Sequence, residues 1–290
     1  MAGIQTSFSS DNFNSQTGEI GVFTEWGNRQ DITHRITFSE GLVSTNIIGG
    51  SNLDNLLHLD YRYQHTYQDP SRQLTLGGGA YFENQSLRPT LRSRYWSSVD
   101  STYTSGQVKF GPVLTNTALR QQINQIEGQI YREDYWFNSW IQTAVSGRGR
   151  WYSNSNISYE GLLRFFLNKP IFTPKRKVRP LIDFSYADAS TNYPSGLPYY
   201  TPDNLFVQGI GVDLQYQDLR YEPDFSAGLE MMVKRDNRNG SFFVGSGRLS
   251  ATISNFWELS LDGYFSTSQV YRYNSVNVSI SYTFPKNIRP

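Results

Sequence analysis

Val276-Asn277-Val278-Ser279-Ile280-Ser281-Tyr282-Thr283-Phe284 carries an apolar or aromatic residue at every even position and Asn, Ser or Thr at every odd one. A strand turns successive side chains to opposite faces, so this segment has one greasy face and one wet face. Upstream, Leu57, Leu59, Tyr61, Tyr63 and Tyr67 alternate in the same way with His58, Asp60, Arg62, Gln64 and Thr66, and residues 206–216 repeat the pattern. Sixteen candidate strands run near 3–10, 18–27, 31–43, 54–67, 72–85, 87–97, 104–114, 122–135, 140–152, 157–167, 178–188, 205–217, 221–234, 241–254, 257–268 and 275–284. The number is even, as single-chain bacterial barrels require. A soluble sandwich also alternates, so the choice of face that meets water needs other signals.

Composition narrows the choice. Charged residues make up 18% of the 290, and no run approaches the roughly 18 apolar residues with which a helix crosses a bilayer. A tilted strand crosses in about 9 to 11 residues, half of them apolar, and hides inside a polar composition. The absence of cysteine excludes a disulfide framework and gives no support to a thiolate metal site. A net charge of +1 argues against a nucleic-acid partner, and no cofactor is implied.

Two rims of unequal loop length are expected of a membrane barrel. With both chain ends at one rim, that rim takes the tight connections 27–31, 68–72, 135–140, 217–220 and 254–256. The opposite rim takes 41–55, 115–121, 189–204, 235–240 and 269–274, which are longer or richer in Gly, Asn and Pro. Connections 168–177 and 84–86 run against the rule. Leu119, Ile123, Ile126 and Ile130 fall at helical spacing after a possible cap at Thr117, so a short helix competes there with a strand that is established by Ile130. Trp26, Trp96, Trp136, Trp140, Trp151 and Trp257 all fall near strand ends, where an interfacial girdle seats amphipathic rings. The expected fold is an all-β, transmembrane, antiparallel up-and-down barrel of about sixteen strands. It forms one domain over 1–290, with 285–290 as a C-terminal tail, in contact with the lipid of the bacterial outer membrane. Residues 1–3 lead directly into strand-like sequence without a signal peptide, so an export leader is expected to precede this stretch, either together with an upstream domain or, in a stand-alone barrel, without one.

Residues 194–204, Pro-Ser-Gly-Leu-Pro-Tyr-Tyr-Thr-Pro-Asp-Asn, resemble a Tyr-Tyr/Phe-Ser/Thr-Pro loop of the barrels that follow tetratricopeptide repeats in bacterial exopolysaccharide secretion proteins, of which the cellulose synthase outer-membrane subunit is one. Val244-Gly245-Ser246-Gly247-Arg248-Leu249-Ser250, through to Phe284, resembles the last three strands of that family. The likeness covers little more than the C-terminal half of the chain. It implies a barrel that conducts a nascent polysaccharide across the outer membrane. It further implies, as partners, a periplasmic tetratricopeptide repeat domain or an inner-membrane synthase complex. The tail after Phe284 departs from the family, whose barrels commonly stop at the terminal aromatic.

On the wet faces stand Arg35, Arg62, Arg88, Arg92, Arg94, Arg148, Arg150, Arg164 and Arg248, opposed by Glu25, Asp60, Glu83, Glu160, Asp213, Glu230 and Asp262. Arg88, Arg92 and Arg94 share one parity and are expected to form a cationic stripe. Guanidinium groups can contact a carboxylated sugar chain, and tyrosines can stack on it. Paired charges also line barrel interiors merely to keep them rigid and wet. The candidate polymer-binding residues are Arg62, Arg88, Arg92, Arg94, Arg148, Arg150 and Arg248, with Tyr199 and Tyr200 on a loop at 193–204 that could cover the pore.

An outer-membrane hydrolase needs a histidine beside a nucleophile, and the histidines are His34, His58 and His65. His34 and His65 share the outward parity, while His58 faces inward beside Asp60 without a recognisable serine motif. Asp218, Glu222 and Asp224, and the loop 236–239, have no metal-binding spacing. The chain is therefore read as a non-enzymatic export conduit. A general porin or a plugged anchor barrel is the first alternative, and a hydrolase the second.

Overall fold

The computed structural model describes residues 1–11, 15–28, 32–47, 50–67, 71–83, 86–114, 116–168, 176–190, 202–218, 225–238, 240–254, 257–268 and 273–282. Within them run the strands β1 (Ala2–Asp11), β2 (Ser15–Asn28), β3 (Ile32–Ile47), β4 (Gly50–Thr66), β5 (Arg72–Glu83), β6 (Ser86–Val99), β7 (Thr102–Pro112) and β8 (Asn124–Trp136). They continue as β9 (Ile141–Tyr152), β10 (Ile157–Leu167), β11 (Arg176–Ala189), β12 (Leu205–Asp218), β13 (Phe225–Asp236), β14 (Gly240–Ser254), β15 (Trp257–Ser266) and β16 (Tyr273–Tyr282). A short helix, α1 (Asn116–Arg120), lies between β7 and β8. Every strand is antiparallel to its sequence neighbours, and β16 returns to β1 from Ala2↔Tyr282 to Asp11↔Tyr273, closing the barrel. Closure leaves no strand edge without a partner, a condition that hydrocarbon imposes on any sheet.

The barrel is inside out compared with a water-soluble one. Ile280, Ile4, Val22, Phe38 and Leu59 are direct neighbours across five strands, and all are exposed. Ile130 is 70% exposed, whereas Asp183 is 0% and Ser39 1% exposed. An apolar belt of that extent exceeds what a monomer shows to water, and makes the outer surface lipid-facing. Leu91, in the middle of β6 and 62% exposed, lies on this belt. Leu91→Arg is expected to cost about 2 to 4 kcal/mol in urea-titrated refolding into bilayers. A loss under about 1 kcal/mol would take this face out of the lipid.

The girdle forms with one correction. Trp26, Trp136, Trp140 and Trp257 gather toward the rim that carries both chain ends, and Trp151 toward the other. Trp96 shares the inward parity of Arg92 and Arg94. Its Nε1 donates to Gln73 Oε1 at 3.0 Å, and its ring stacks on Tyr103, so it lines the interior and not the lipid belt. His34 lies outside, between Trp26 and Tyr63, and His65 stacks on Tyr67.

The expected 41–55 loop is overturned. β3 and β4 stay paired to Ile47↔Gly50 and extend the barrel wall beyond that rim. Val43, Thr45 and Ile47 supply β-branched residues that favour the extended pairing. In the 119–130 segment only the first turn is helical. Leu119 and Ile123 are buried, while Ile126 and Ile130 point outward from β8.

Candidate functional site in the lumen

Polar side chains converge inside because sixteen wet faces curl around one axis. Strand register then decides which of them meet. Several pairs lie directly opposite one another: Arg164 and Asp183, Arg179 and Asp213, Glu127 and Arg150, Arg148 and Glu160, and Arg248 and Asp262. Each of these makes an ion pair. The chain Lys109–Glu127–Arg148/Arg150–Glu160 alternates sign across β7 to β10.

Register also sets like charges side by side, and neighbours resolve the conflict. Arg35 opposes Arg62, so Arg62 turns to Glu25 at 3.3 Å. Arg35 donates to Gln5 at 2.6 Å and lies 3.6 Å over the Phe23 ring. Asp213 opposes Glu230, and Arg179 takes the former while Arg164 takes the latter at 3.1 Å. Arg179 also donates to Gln142 and Asn168 and lies over Phe166.

Two of the ion pairs that cross an intervening strand do so at an inward glycine. Lys234 on β13 reaches Asp183 on β11 over Gly209 of β12, where an added Cβ would sit 2.6 Å from Asp183 Oδ1 and 2.9 Å from Lys234 Cγ. Arg92 on β6 reaches Asp60 on β4 over Gly77 of β5, where a Cβ would meet Arg92 Nε at 2.5 Å. The glycines are therefore gaps through which long side chains cross the wall.

The expected cationic stripe is not a free one. Arg92 is neutralised by Asp60, and Arg88 is buried against Glu83 at 3.2 Å. Arg88 also donates to the carbonyl of Leu119 in α1. Arg94 reaches the Tyr103 hydroxyl at 3.4 Å. Arg62, Arg148, Arg150 and Arg248 all stand in the lumen as ion-pair partners, while Tyr199 and Tyr200 lie outside the described residues. The His58–Asp60 dyad is also not formed. His58 Nδ1 is 3.6 Å from Glu19 and its ring stacks on Tyr81. Glu127, Asp183, Arg179, Lys234 and Glu19 were missed, although the same alternating parity points them inward. Because signs alternate around the wall, tenfold KCl gradients are expected to give reversal potentials within about 10 mV of zero. A strongly cation- or anion-selective pore would contradict the pairing scheme.

The interior is unevenly filled. At the rim away from the chain ends, α1 folds inward, where Leu119 packs on Leu56 and Tyr81 and Ala118 on Val113, Ile123 and Tyr152. Ala144, Phe166, Leu181 and Met232 form a second apolar cluster against Tyr131. Among the described residues the larger cavities lie elsewhere. One cavity of ≈ 270 Å³ reaches Gln5, Ser260 and Ser279, and one of ≈ 390 Å³ reaches Ser246, Arg248 and Tyr264. Both include Asp262 and Asn277.

No family model and no curated protein matches the chain in sequence. Among solved structures, a bacterial polysaccharide outer membrane secretin is similar with a TM-score of 0.72 at 14% identity, over 98% of this chain and 99% of that one. OccK11 (OpdR) of Pseudomonas aeruginosa has a TM-score of 0.44 at 7% identity, over 98% and 96% of the two chains. A KdgM porin in complex with disordered oligogalacturonate has a TM-score of 0.39 at 14% identity, over 79% and 99%. The fold is a closed sixteen-stranded barrel of the bacterial outer-membrane type.

Proposed function

We propose that this barrel conducts a nascent exopolysaccharide across the outer membrane. On this reading a tetratricopeptide repeat domain or an inner-membrane synthase complex feeds it from the periplasm. The observation that carries the reading is the polar free space along one wall, formed by two cavities that share Asp262 and Asn277. The overall likeness to a polysaccharide secretin and the sequence resemblance of the closing strands support it. The role is non-enzymatic. Ser39, the serine beside His58, is buried and donates its hydroxyl proton to Glu19, so it offers no accessible nucleophile.

A plugged anchor barrel is the second reading, favoured by α1 and the apolar clusters inside. Proteoliposome swelling in a neutral oligosaccharide separates the two. Sugar-dependent swelling is expected of a conduit. Vesicles that hold folded barrel yet admit no sugar would overturn the export reading in favour of the anchor.

A further inference from the structure

Side-chain size divides the lumen into two unlike walls. From β2 round to β13 the inward positions carry Arg, Lys, Glu, Tyr, Phe and Met, locked into ion pairs and apolar clusters, and α1 leans on the same side. From β14 through β16 to β1 they are mostly short and uncharged, as at Ser246, Ser260, Asn277, Ser279, Ser7 and Gln5. Free space follows short side chains: among the described residues the two larger cavities both border this wall, the second of them reaching also to Asp213, Gln215 and Glu230 on β12 and β13. They run in series from Ser246 and Tyr264, nearer the α1 rim, to Ser260 and Gln5, nearer the rim of the chain ends.

We infer that this wall is the track of the transported polymer, and that the polymer is an uncharged, hydroxyl-rich glycan; the inference rests on the conduit reading above. Hydroxyls and amides each donate and accept, so they can exchange hydrogen bonds with successive sugar hydroxyls in any order as a chain slides. Exposed Tyr264 adds an apolar ring face within the same cavity. The charges that line the two cavities are Arg248 and Asp262, which satisfy each other at 2.7 Å, Asp213 and Glu230, which are held by Arg179 and Arg164, and Glu19 at the edge, which already accepts from Ser39. A charged polymer finds no unopposed cluster of countercharge there. Of the arginines first expected to hold a carboxylated chain, only Arg248 stands on this wall; Arg62, Arg88, Arg92, Arg148 and Arg150 are on the opposite wall and already engaged.

The test is single-channel block of the refolded chain by three oligomers of equal length: a malto-oligosaccharide, an oligogalacturonate and a glucosamine oligomer. The neutral oligomer is expected to half-block at the lowest concentration. Ser279→Trp, which fills the track, and the milder Asn277→Arg are each expected to raise that concentration at least about tenfold. Thr75→Phe, on the far wall, is expected to leave it unchanged, and each variant's own conductance shows that it folds. Equal or stronger block by either charged oligomer would overturn the neutral-glycan inference and leave the conduit reading standing. Neutral block that tracks Thr75 and ignores Ser279 and Asn277 would overturn the path. A barrel that no oligomer blocks and that passes no sugar would sink the conduit reading itself.

Discussion

Asp183→Ala is expected to destabilise the barrel by about 3 to 5 kcal/mol, because it empties a fully buried carboxylate site and leaves the half-buried Lys234 without its counter-ion. Asp183 is fully buried and receives both Arg164, at 3.5 Å, and Lys234. Arg164 retains Glu230, whereas Lys234, among the described residues, is ion-paired to this carboxylate alone, which it reaches across Gly209. Urea titration of refolding in detergent micelles measures the loss. Adding Lys234→Met should return much of it, since removing both partners of a buried pair is far less costly than removing one. A single-variant loss below about 1 kcal/mol would mean that water replaces the carboxylate there, and that the strand-crossing pair is not structural.

Arg88→Ala is the second large effect. Arg88 and Glu83 are both buried, and the same guanidinium holds the Leu119 carbonyl, so α1 is tied to the β5–β6 wall from inside. Loss of one partner of a buried pair costs about 3 kcal/mol or more. Here the strain falls on a five-residue helix that can leave the lumen without unravelling the sheet. The expected readout is therefore a larger and noisier unitary conductance, with the heat-modifiable barrel retained. Glu83→Gln should give a weaker version of the same change. Unchanged conductance in Arg88→Ala would show that the apolar contacts of Leu119 with Leu56 and Tyr81 are enough to seat α1.

The barrel was legible because each strand carries its own two-residue period, which needs no knowledge of distant neighbours. Parity alone set Arg62, Arg92, Arg148 and Arg248 inward, and their positions inside agree. Trp96 was misplaced because residue type was allowed to outweigh a parity that it shares with Arg92 and Arg94. The 41–55 segment was misread because Gly and Asn content outweighed its β-branched alternation. The helical spacing from Leu119 to Ile130 mixed two elements, since every fourth residue also keeps one parity on a strand.

By itself the sequence determined the class of fold, the approximate strands, the lipid face and the inward set of charges, all of which follow from local alternation and chain length. Only the tertiary structure decided which charges meet. Pairing depends on register, and a shift of one residue on one strand would turn every one of its side chains to the other face. It also decided that the arginine stripe is largely neutralised, that Gly77 and Gly209 are crossing points, and that the larger cavities among the described residues border β14 to β1. Those are properties of side chains on strands far apart in the chain, brought together only when the sheet closes.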